Sequence, residues 1–102
     1  ESKRLIVDPG VGFGKTTAHN LTIMKRLDEY KLLGAQVLLG ASRKRFLDDT
    51  VGGDTEPDQR IGASLACVAR AVQAGIHIVR VHDVAETRQF VTTLCATGGN
   101  GW

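Results

Sequence analysis

The sequence predicts an α/β protein built on a short parallel sheet. Three short apolar runs, Leu5–Val7, Gln36–Leu39 and Ile76–Val81, are each followed by a segment with helical periodicity. The runs are continuously apolar, which is typical of strands that are buried on both faces of a parallel sheet. The expected order is therefore strand, helix, strand, helix, strand, helix.

The first helix is predicted over Asn20–Leu33. Its apolar residues recur three and four positions apart with charged residues between them, which indicates an amphipathic helix. Thr16, Thr17 or Asn20 could cap its start, and Gly34 is a natural terminator.

Two further helices follow the second and third strands. The stretch Ile61–Ala74 is rich in small residues that allow close packing on a sheet, and Gly75 follows it. The last helix, Val84–Thr97, has Asp83 as candidate cap and Glu86 as the partner of a capping box. A surface loop is expected over Asp48–Asp58, and a loop or frayed tail over Gly98–Trp102.

The composition is that of one small globular domain. The 102 residues are 42% hydrophobic and 24% charged. A net charge of only +2 with scattered aromatic residues argues against nucleic acid as a partner, and the short apolar runs argue against a membrane. Cys67 and Cys95 have no Cys or His at metal-ligand spacing, so we expect reduced, buried or semi-buried thiols in a cytoplasmic protein, and no metal ligands.

The loop Asp8–Thr16, directly after the first strand, is rich in glycine but matches neither common nucleotide motif. A P-loop would need Gly five positions before Gly14, where Pro9 stands. The glycines at 10, 12 and 14 also do not form a dinucleotide fingerprint. Lys15 and Thr16 are therefore interpreted as a solvated loop lysine and a helix-start residue.

Each predicted strand ends in polar groups. Asp8 follows the first strand, the basic segment Ser42-Arg43-Lys44-Arg45 follows the second, and Arg80 and His82 end the third. In a parallel sheet these ends share one edge, where ligands bind in α/β proteins. Arg80 and His82 are two positions apart on an extended strand, so both point to one face. A fixed cation beside a titratable donor suits phosphate or pyrophosphate.

Purely structural interpretations of these groups stay open from the residues alone. Asp8 could have no role beyond capping its loop. Arg80 could pair with an aspartate while His82 caps a loop. His19 could cap the first helix or contact the loop, and His77 is expected to pack between strand and helix.

Together these motifs resemble the C-terminal portion of dihydropteroate synthase, the folate-pathway enzyme that sulfonamides inhibit. The resemblance covers essentially the whole chain, in the family's order and spacing. Its motifs are Asp8-Pro9-Gly10-Val11-Gly12-Phe13-Gly14-Lys15 followed by His19-Asn20, then Leu39-Gly40-Ala41-Ser42-Arg43-Lys44-Arg45-Phe46, and Arg80-Val81-His82-Asp83-Val84.

The resemblance implies a (β/α)₈ barrel that joins a dihydropterin pyrophosphate to p-aminobenzoate and releases pyrophosphate. It implies that Asp8 accepts hydrogen bonds from the pterin, while Lys44 binds the pterin carbonyl side and adjoins the aminobenzoate. Phe13 and Arg45 would lie near the aminobenzoate, although position 45 is Ser in some members of the family.

Arg80 and His82 would hold the leaving pyrophosphate, so that Lys44, Arg80 and His82 would be the catalytic residues. Pyrophosphate would depart as the amine attacks the methylene carbon, with cations and Mg²⁺ bearing the developing charge. The resemblance places the Mg²⁺-binding Asn, another pterin-binding Asp and Asn, and two mobile substrate loops in a part of the barrel that this chain lacks.

On this interpretation, residues 1–102 are the last three of eight βα units, and the opening Glu-Ser-Lys-Arg fits a chain without its N-terminal portion. An open three-stranded sheet would expose its inward face and an unpaired edge. We therefore expect that the chain alone neither closes a barrel nor catalyses, and that it pairs with a second copy as a homodimer or with the missing portion.

Two other functions fit the same fold. A pterin-binding methyltransferase domain that works with a corrinoid would share the barrel, but it has no pyrophosphate to hold and no need of the Arg80 and His82 pair. A non-catalytic module that binds a phosphate ligand or a protein is the other alternative.

Overall fold

The computed structural model describes residues 6–98, which form a three-stranded sheet with helices packed on one side. The strands are β1 (Ile6–Val7), β2 (Gln36–Leu39) and β3 (Ile78–Val79). The α-helices are α1 (Thr17–Lys25), α2 (Arg45–Thr50), α3 (Ile61–Ala74) and α4 (Val84–Thr97), and short 3₁₀ helices cover Leu27–Leu33 and Pro57–Gln59.

The sheet is parallel, as the apolar runs predict, with β2 between β1 and β3. Its register pairs Val7 with Val37 and Leu39 with Val79. Arg80 extends the second ladder by donating its N–H to the carbonyl of Leu39 at 2.9 Å. All three strands therefore run toward the same edge, and their carboxyl ends lie side by side.

One face of the sheet is covered and the other is not. Val37 and Leu39 of β2 are buried, whereas Leu38 between them is half-buried. Ile6 is 56% exposed and Ile78 is 36% exposed. The expectation that the strands are buried on both faces is thus met on one face only among residues 6–98. The core on the covered face contains Val11, Met24, Leu27, Leu39, Ala41, Phe46, Leu47, Cys67 and Ala71.

The segment predicted as one helix over Asn20–Leu33 is two helices. Thr16 caps α1 by accepting the His19 N–H at 3.1 Å, and α1 ends at Lys25. The chain then continues as the 3₁₀ helix Leu27–Leu33. Gly34 follows this helix with a φ of +73°, the left-handed conformation expected of a residue that terminates a helix. The tighter winding buries Leu27 but leaves Leu33 exposed, a change that apolar spacing alone does not reveal.

The prediction of a loop over Asp48–Asp58 is wrong at both of its ends. Helix α2 continues to Thr50, and a 3₁₀ helix with a reciprocal capping box covers Pro57–Gln59. Only Phe46 and Leu47 of α2 are buried, so the helix is too short to show an apolar period.

Helices α3 and α4 have the predicted bounds, and Gly75 ends α3 with a φ of +73°. Strand β3 is shorter than the predicted Ile76–Val81: its register pairs are Ile78 with Leu38 and Val79 with Leu39, and the N–H groups of His77 and Arg80 on either side also donate to carbonyls of β2. Part of the first strand, at Leu5, and most of the predicted tail, at 99–102, lie outside the described residues. Within residues 6–98, no helix is long and apolar enough to cross a membrane.

Candidate active site at the carboxyl edge of the sheet

The Gly-rich loop after β1 begins with an aspartate that turns the chain. Oδ1 of Asp8 accepts the backbone N–H of Gly10 at 2.8 Å, which is the loop-capping role that the residues allow. The Asp8 side chain is nevertheless exposed, and a carboxylate has further lone pairs to offer. Capping the loop therefore orients Asp8 at the sheet edge without using up its capacity to accept hydrogen bonds.

Two side chains hold the loop in place. Asn20 of α1 is only 2% exposed, and its Oδ1 accepts the backbone N–H of Gly12 at 2.8 Å. Lys15 is exposed, as expected, but its Nζ also donates to the carbonyl of Gly10 at 3.1 Å. Asn20 was a candidate helix cap from the sequence; it contacts the loop instead, and Thr16 provides the cap.

The loop after β1 touches the turn after β2. Nζ of Lys44 lies 3.9 Å from the centre of the Phe13 ring, within cation–π distance. Gly12 makes room for this contact, because a Cβ there would lie 2.7 Å from Cδ of Lys44, and its φ of +85° also favours glycine. Two of the predicted site residues are thus in direct contact, and exposed Arg45 follows them as the first residue of α2.

Arg43 was expected among the basic groups at this edge, but the structure engages it in an ion pair. Its Nη2 and Nε donate to the two carboxylate oxygens of Asp83 at 2.8 and 3.2 Å. This hydrogen-bonded pair holds the pKa of Asp83 below its usual value and raises the pKa of Arg43. It also explains why the predicted capping box with Glu86 is absent, because the Asp83 side chain makes no cap hydrogen bond.

The backbone at Arg43 adopts a φ of +58°, which is uncommon for a residue with a side chain. Ser64 Oγ accepts the Arg43 N–H at 2.9 Å, and Arg60 Nη1 donates to the Arg43 carbonyl at 3.0 Å. Arg60 also donates to the carbonyl of Thr55 at 2.7 Å. Surrounding contacts of this kind are what maintain a strained residue, and here the strained turn directly precedes Lys44.

Arg80 lies against the end of β2. A Cβ at Gly40 would be 2.6 Å from Nη2 of Arg80, so the guanidinium rests where any other residue would place its side chain. Among residues 6–98, Asp83 pairs with Arg43, and Arg80 forms no salt bridge. The structural alternative of an Arg80–aspartate pair is therefore not found in the described part of the chain.

His82 is tied to the same turn. Ser42 Oγ accepts the backbone N–H of His82 at 3.2 Å and lies 3.0 Å from its Nδ1. Gly40 and Ser42 are themselves two positions apart, so Arg80 and His82 contact alternate positions of the segment that follows β2. This agrees with the prediction that both project to one face.

The other histidines play smaller parts. His77 is not packed between strand and helix as expected; it is exposed, and its Nδ1 accepts the backbone N–H of Val37 at 3.1 Å. His19 is exposed at the start of α1. Of the two free cysteines, Cys67 is buried, but Cys95 is exposed rather than semi-buried.

The edge therefore collects one oriented carboxylate, an aromatic ring under an ammonium, and a guanidinium and an imidazole from the segment that follows β3. Sequence reasoning gave no supporting role to the residues that hold these groups, namely Gly12, Gly40, Ser42 and Asn20. Their signal is weak, since a glycine or small polar residue at a strand end also fits an ordinary turn. The arrangement suits a ligand with hydrogen-bond donors at one end, a flat ring and an anionic group.

Comparisons with known proteins identify the family of the chain. The sequence profile of the family described as "pterin binding enzyme" matches residues 1–82. A dihydropteroate synthase of Streptococcus pyogenes is 46% identical over 88 residues, which cover 86% of this chain and 33% of that protein. The chain thus spans about a third of the length of the curated relatives it matches.

Solved structures give the same result. Dihydropteroate synthase of Stenotrophomonas maltophilia superposes with a TM-score of 0.89 at 46% identity, covering 98% of this chain and 37% of that one. The Xanthomonas albilineans enzyme, solved in complex with 7,8-dihydropteroate, gives a TM-score of 0.87 at 42% identity over 94% of this chain and 37% of that one. The fold is accordingly that of three βα units, a part of the dihydropteroate synthase barrel. This chain belongs to the pterin-binding enzyme family, and its resemblance to dihydropteroate synthases is confirmed.

Proposed function

We propose that this chain supplies part of the active site of a dihydropteroate synthase. This transferase would condense 6-hydroxymethyl-7,8-dihydropterin pyrophosphate with p-aminobenzoate to give 7,8-dihydropteroate and pyrophosphate in folate biosynthesis. The observation that carries the proposal is that three strand ends, distant in sequence, touch one another. Phe13 contacts Lys44, and Ser42 contacts His82. The Xanthomonas albilineans relative was solved with 7,8-dihydropteroate and, in a second structure, with 4-aminobenzoic acid, which supports these ligands here.

The pterin end of the pocket is assigned to the loop after β1. Asp8 would accept hydrogen bonds from the pterin amino and ring N–H groups, since a carboxylate offers two acceptors to parallel donors. Lys44 would donate to the pterin carbonyl side. Its contact with Phe13 keeps the ammonium near the loop that carries Asp8.

The second substrate is assigned to Phe13 and Arg45. A flat aromatic ring complements the ring of p-aminobenzoate, and a guanidinium complements its carboxylate. In the reaction, the amine nitrogen bonds to the methylene carbon as the carbon–oxygen bond to pyrophosphate breaks. The electron pair leaves with pyrophosphate, and the amine loses a proton.

Arg80 and His82 would hold the departing pyrophosphate. Their role is to place positive charge and N–H donors where negative charge develops as the carbon–oxygen bond breaks. Arg80 is exposed at the sheet edge and has no carboxylate partner among residues 6–98, so its charge is available to an anion.

Mg²⁺ is proposed for the whole enzyme from the family resemblance alone. Among the residues that the structure describes, no group of three or more His, Cys, Asp or Glu side chains is placed to hold a metal ion. The roles assigned above need no metal ligand from the described residues.

Activity would require the rest of the barrel, and we propose that the exposed sheet edges receive it, either from further polypeptide or from a second copy in a homodimer. Exposed apolar residues on the two outer strands, Ile6 of β1 and Ile78 of β3, support this proposal. A groove of about 560 Å³ beside β3 also presents an apolar surface; it is lined by Val79, Arg80, Val81, Val84, Thr87, Arg88, Val91 and Thr92.

Two further properties belong to the same proposal. Reduced cysteines and a biosynthetic role fit the cytoplasm. A sulfonamide, as a mimic of p-aminobenzoate, would compete for the place beside Phe13 and Arg45.

The test uses a barrel chimera, in which this chain replaces the matching part of the Stenotrophomonas maltophilia enzyme. Pyrophosphate release from the two substrates is the measurement. We expect turnover in the chimera and a loss of roughly a hundredfold or more in kcat/KM for Arg80→Gln. Arg70→Gln, which removes an exposed arginine of α3, is the matched control and should keep the activity.

Three outcomes would count against the proposal. A folded chimera without pyrophosphate release would remove the enzyme assignment, and uptake of a pterin without turnover would favour a binding module. Methyl transfer to a corrinoid would favour the methyltransferase alternative. The pairing proposal is tested by sizing chromatography. The chain alone should self-associate, or it should associate with the separately expressed remainder of the barrel. A stable monomer that does not bind the remainder would contradict the pairing proposal.

A further inference from the structure

Ser42 is a buried hydroxyl at the end of β2 that contacts the imidazole of His82. It is 5% exposed. Its Oγ accepts the backbone N–H of His82 at 3.2 Å and lies 3.0 Å from Nδ1 of the same residue. One hydroxyl therefore engages both the main chain and the ring of His82.

The hydrogen bonds available to Ser42 Oγ at this contact select one tautomer of the His82 ring. The backbone N–H can only donate, so it takes up a lone pair on Oγ. In the described part of the chain, Nδ1 is the one acceptor within hydrogen-bond distance of the Ser42 hydroxyl. If Nδ1 carried the proton, the hydroxyl proton would be buried without a partner, which costs free energy.

We propose that Ser42 is a positioning residue that sets the tautomer and orientation of His82. With Nδ1 accepting from the hydroxyl, the neutral ring carries its proton on Nε2, on the side away from Ser42. The sheet edge is thereby provided with a preorganised N–H donor at the same strand end as Arg80. That this donor meets pyrophosphate rests on the proposed function, whereas the tautomer does not.

The main chain at His82 has a second support that is independent of Ser42. Asp83, the residue after His82, is held by Arg43 through two hydrogen bonds of 2.8 and 3.2 Å. Loss of the Ser42 hydroxyl should therefore release the ring of His82 while the strand end stays in place. A role limited to holding the backbone would leave the ring tautomer unaffected.

The test is ¹⁵N NMR of histidine-labelled barrel chimera in the absence of substrate, with the His82 signals assigned by their loss in His82→Gln. We expect a pyridine-like Nδ1 and a pyrrole-like Nε2 at a pH where the ring is neutral. Ser42→Ala should give a mixture of tautomers, and Ser42→Thr, which retains the hydroxyl, should restore the single form.

Ser64→Ala is the matched control, because it removes another buried hydroxyl, on α3, that accepts the N–H of Arg43 rather than contacting His82. It should leave the His82 tautomer unchanged. A pyrrole-like Nδ1 in the unsubstituted chimera, or an unchanged tautomer in folded Ser42→Ala, would overturn the inference. If Ser42→Ala does not fold, the spectrum of the unsubstituted protein decides it.

A kinetic measurement separates this inference from the proposed function. In an active chimera, Ser42→Ala should weaken pyrophosphate inhibition about tenfold, the effect of one hydrogen bond. If the chimera proves inactive but the spectrum shows the Nε2–H tautomer, the proposed function fails and the inference stands. If the chimera is active and the tautomer is reversed, the inference alone fails.

Discussion

Arg43 and Asp83 join the ends of the second and third strands through two parallel hydrogen bonds of 2.8 and 3.2 Å. They are 40 residues apart in the chain. The pair neutralises one of the four cations expected at this edge, and it leaves Lys44, Arg45 and Arg80 as the groups that can meet a ligand.

Breaking this pair should destabilise the protein in a pH-dependent way. Because the folded state lowers the pKa of Asp83, its stabilisation is present above the ordinary carboxyl pKa of about 4 and is lost as the pH falls through the lower folded value. Asp83→Asn should therefore lower the melting temperature at pH 7. The melting temperature of this variant should also decrease less between pH 7 and pH 2 than that of the unsubstituted protein. The measurement is the melting temperature between pH 7 and pH 2.

The control for the ion pair is Arg26→Gln. Arg26 and Glu29 also form a close pair, at 2.6 Å, but their side chains are 63% and 50% exposed. Exposed pairs contribute little, so this variant should melt close to the unsubstituted protein at pH 7. Equal losses from both variants would contradict the assignment of Arg43–Asp83 as the stabilising pair.

Replacing Arg60 by lysine should cost stability although the charge is kept. The guanidinium bridges the carbonyls of Arg43 and Thr55 at 3.0 and 2.7 Å, a geometry that a single ammonium cannot reproduce. We expect a loss of about 1–3 kcal/mol in urea unfolding. Arg70→Lys, at an exposed position of α3, is the control, and an equal loss there would show that the bridge is unimportant.

Gly40→Ala should impair anion binding more than folding. The new methyl group would lie 2.6 Å from Nη2 of Arg80, the far end of a flexible side chain that can move away. We expect weaker pyrophosphate inhibition of the chimera with a nearly unchanged melting temperature. Gly62→Ala, in α3, meets nothing within 4 Å, so it should leave the inhibition unchanged and should not lower the melting temperature. Unchanged inhibition by pyrophosphate in Gly40→Ala would argue against Arg80 as its ligand.

Asn20→Ala should loosen the Gly-rich loop. The change leaves the Gly12 N–H without its acceptor and empties a buried position, at a cost of about 1–3 kcal/mol. Amide hydrogen exchange at Gly12 should accelerate. Thr22→Ala in the same helix removes a hydroxyl that only bonds its own helix, and it should leave the Gly12 exchange rate unchanged.

The two cysteines should differ sharply in reactivity. Burial raises the pKa of Cys67 to about 11, so little thiolate forms at pH 8, and the side chain is also shielded from reagents. Cys95 is exposed. Iodoacetamide at pH 8 should therefore modify Cys95 first, as read by mass spectrometry, and Cys67 only after unfolding. Rapid labelling of Cys67 in the folded protein would show that the helices open readily.

Local patterns account for much of the fold. The apolar runs and small-residue helix are local signals, and they led to the three strands of a parallel sheet and to the bounds of α3 and α4. They failed where a segment is short or changes its winding, as at α2 and the 3₁₀ helix Leu27–Leu33. There, burial of a few side chains decides the structure, and no period builds up.

The site divides in the same way. Residue type and position after each strand were enough to bring Asp8, Lys44 and His82 to one sheet edge, because parallel strands end together. They could not show that Arg43 pairs with Asp83 while Arg80 does not. Neighbouring cations look alike along the chain, and only the packed arrangement of two strand ends, with its distances and burial, determines which one meets the acid.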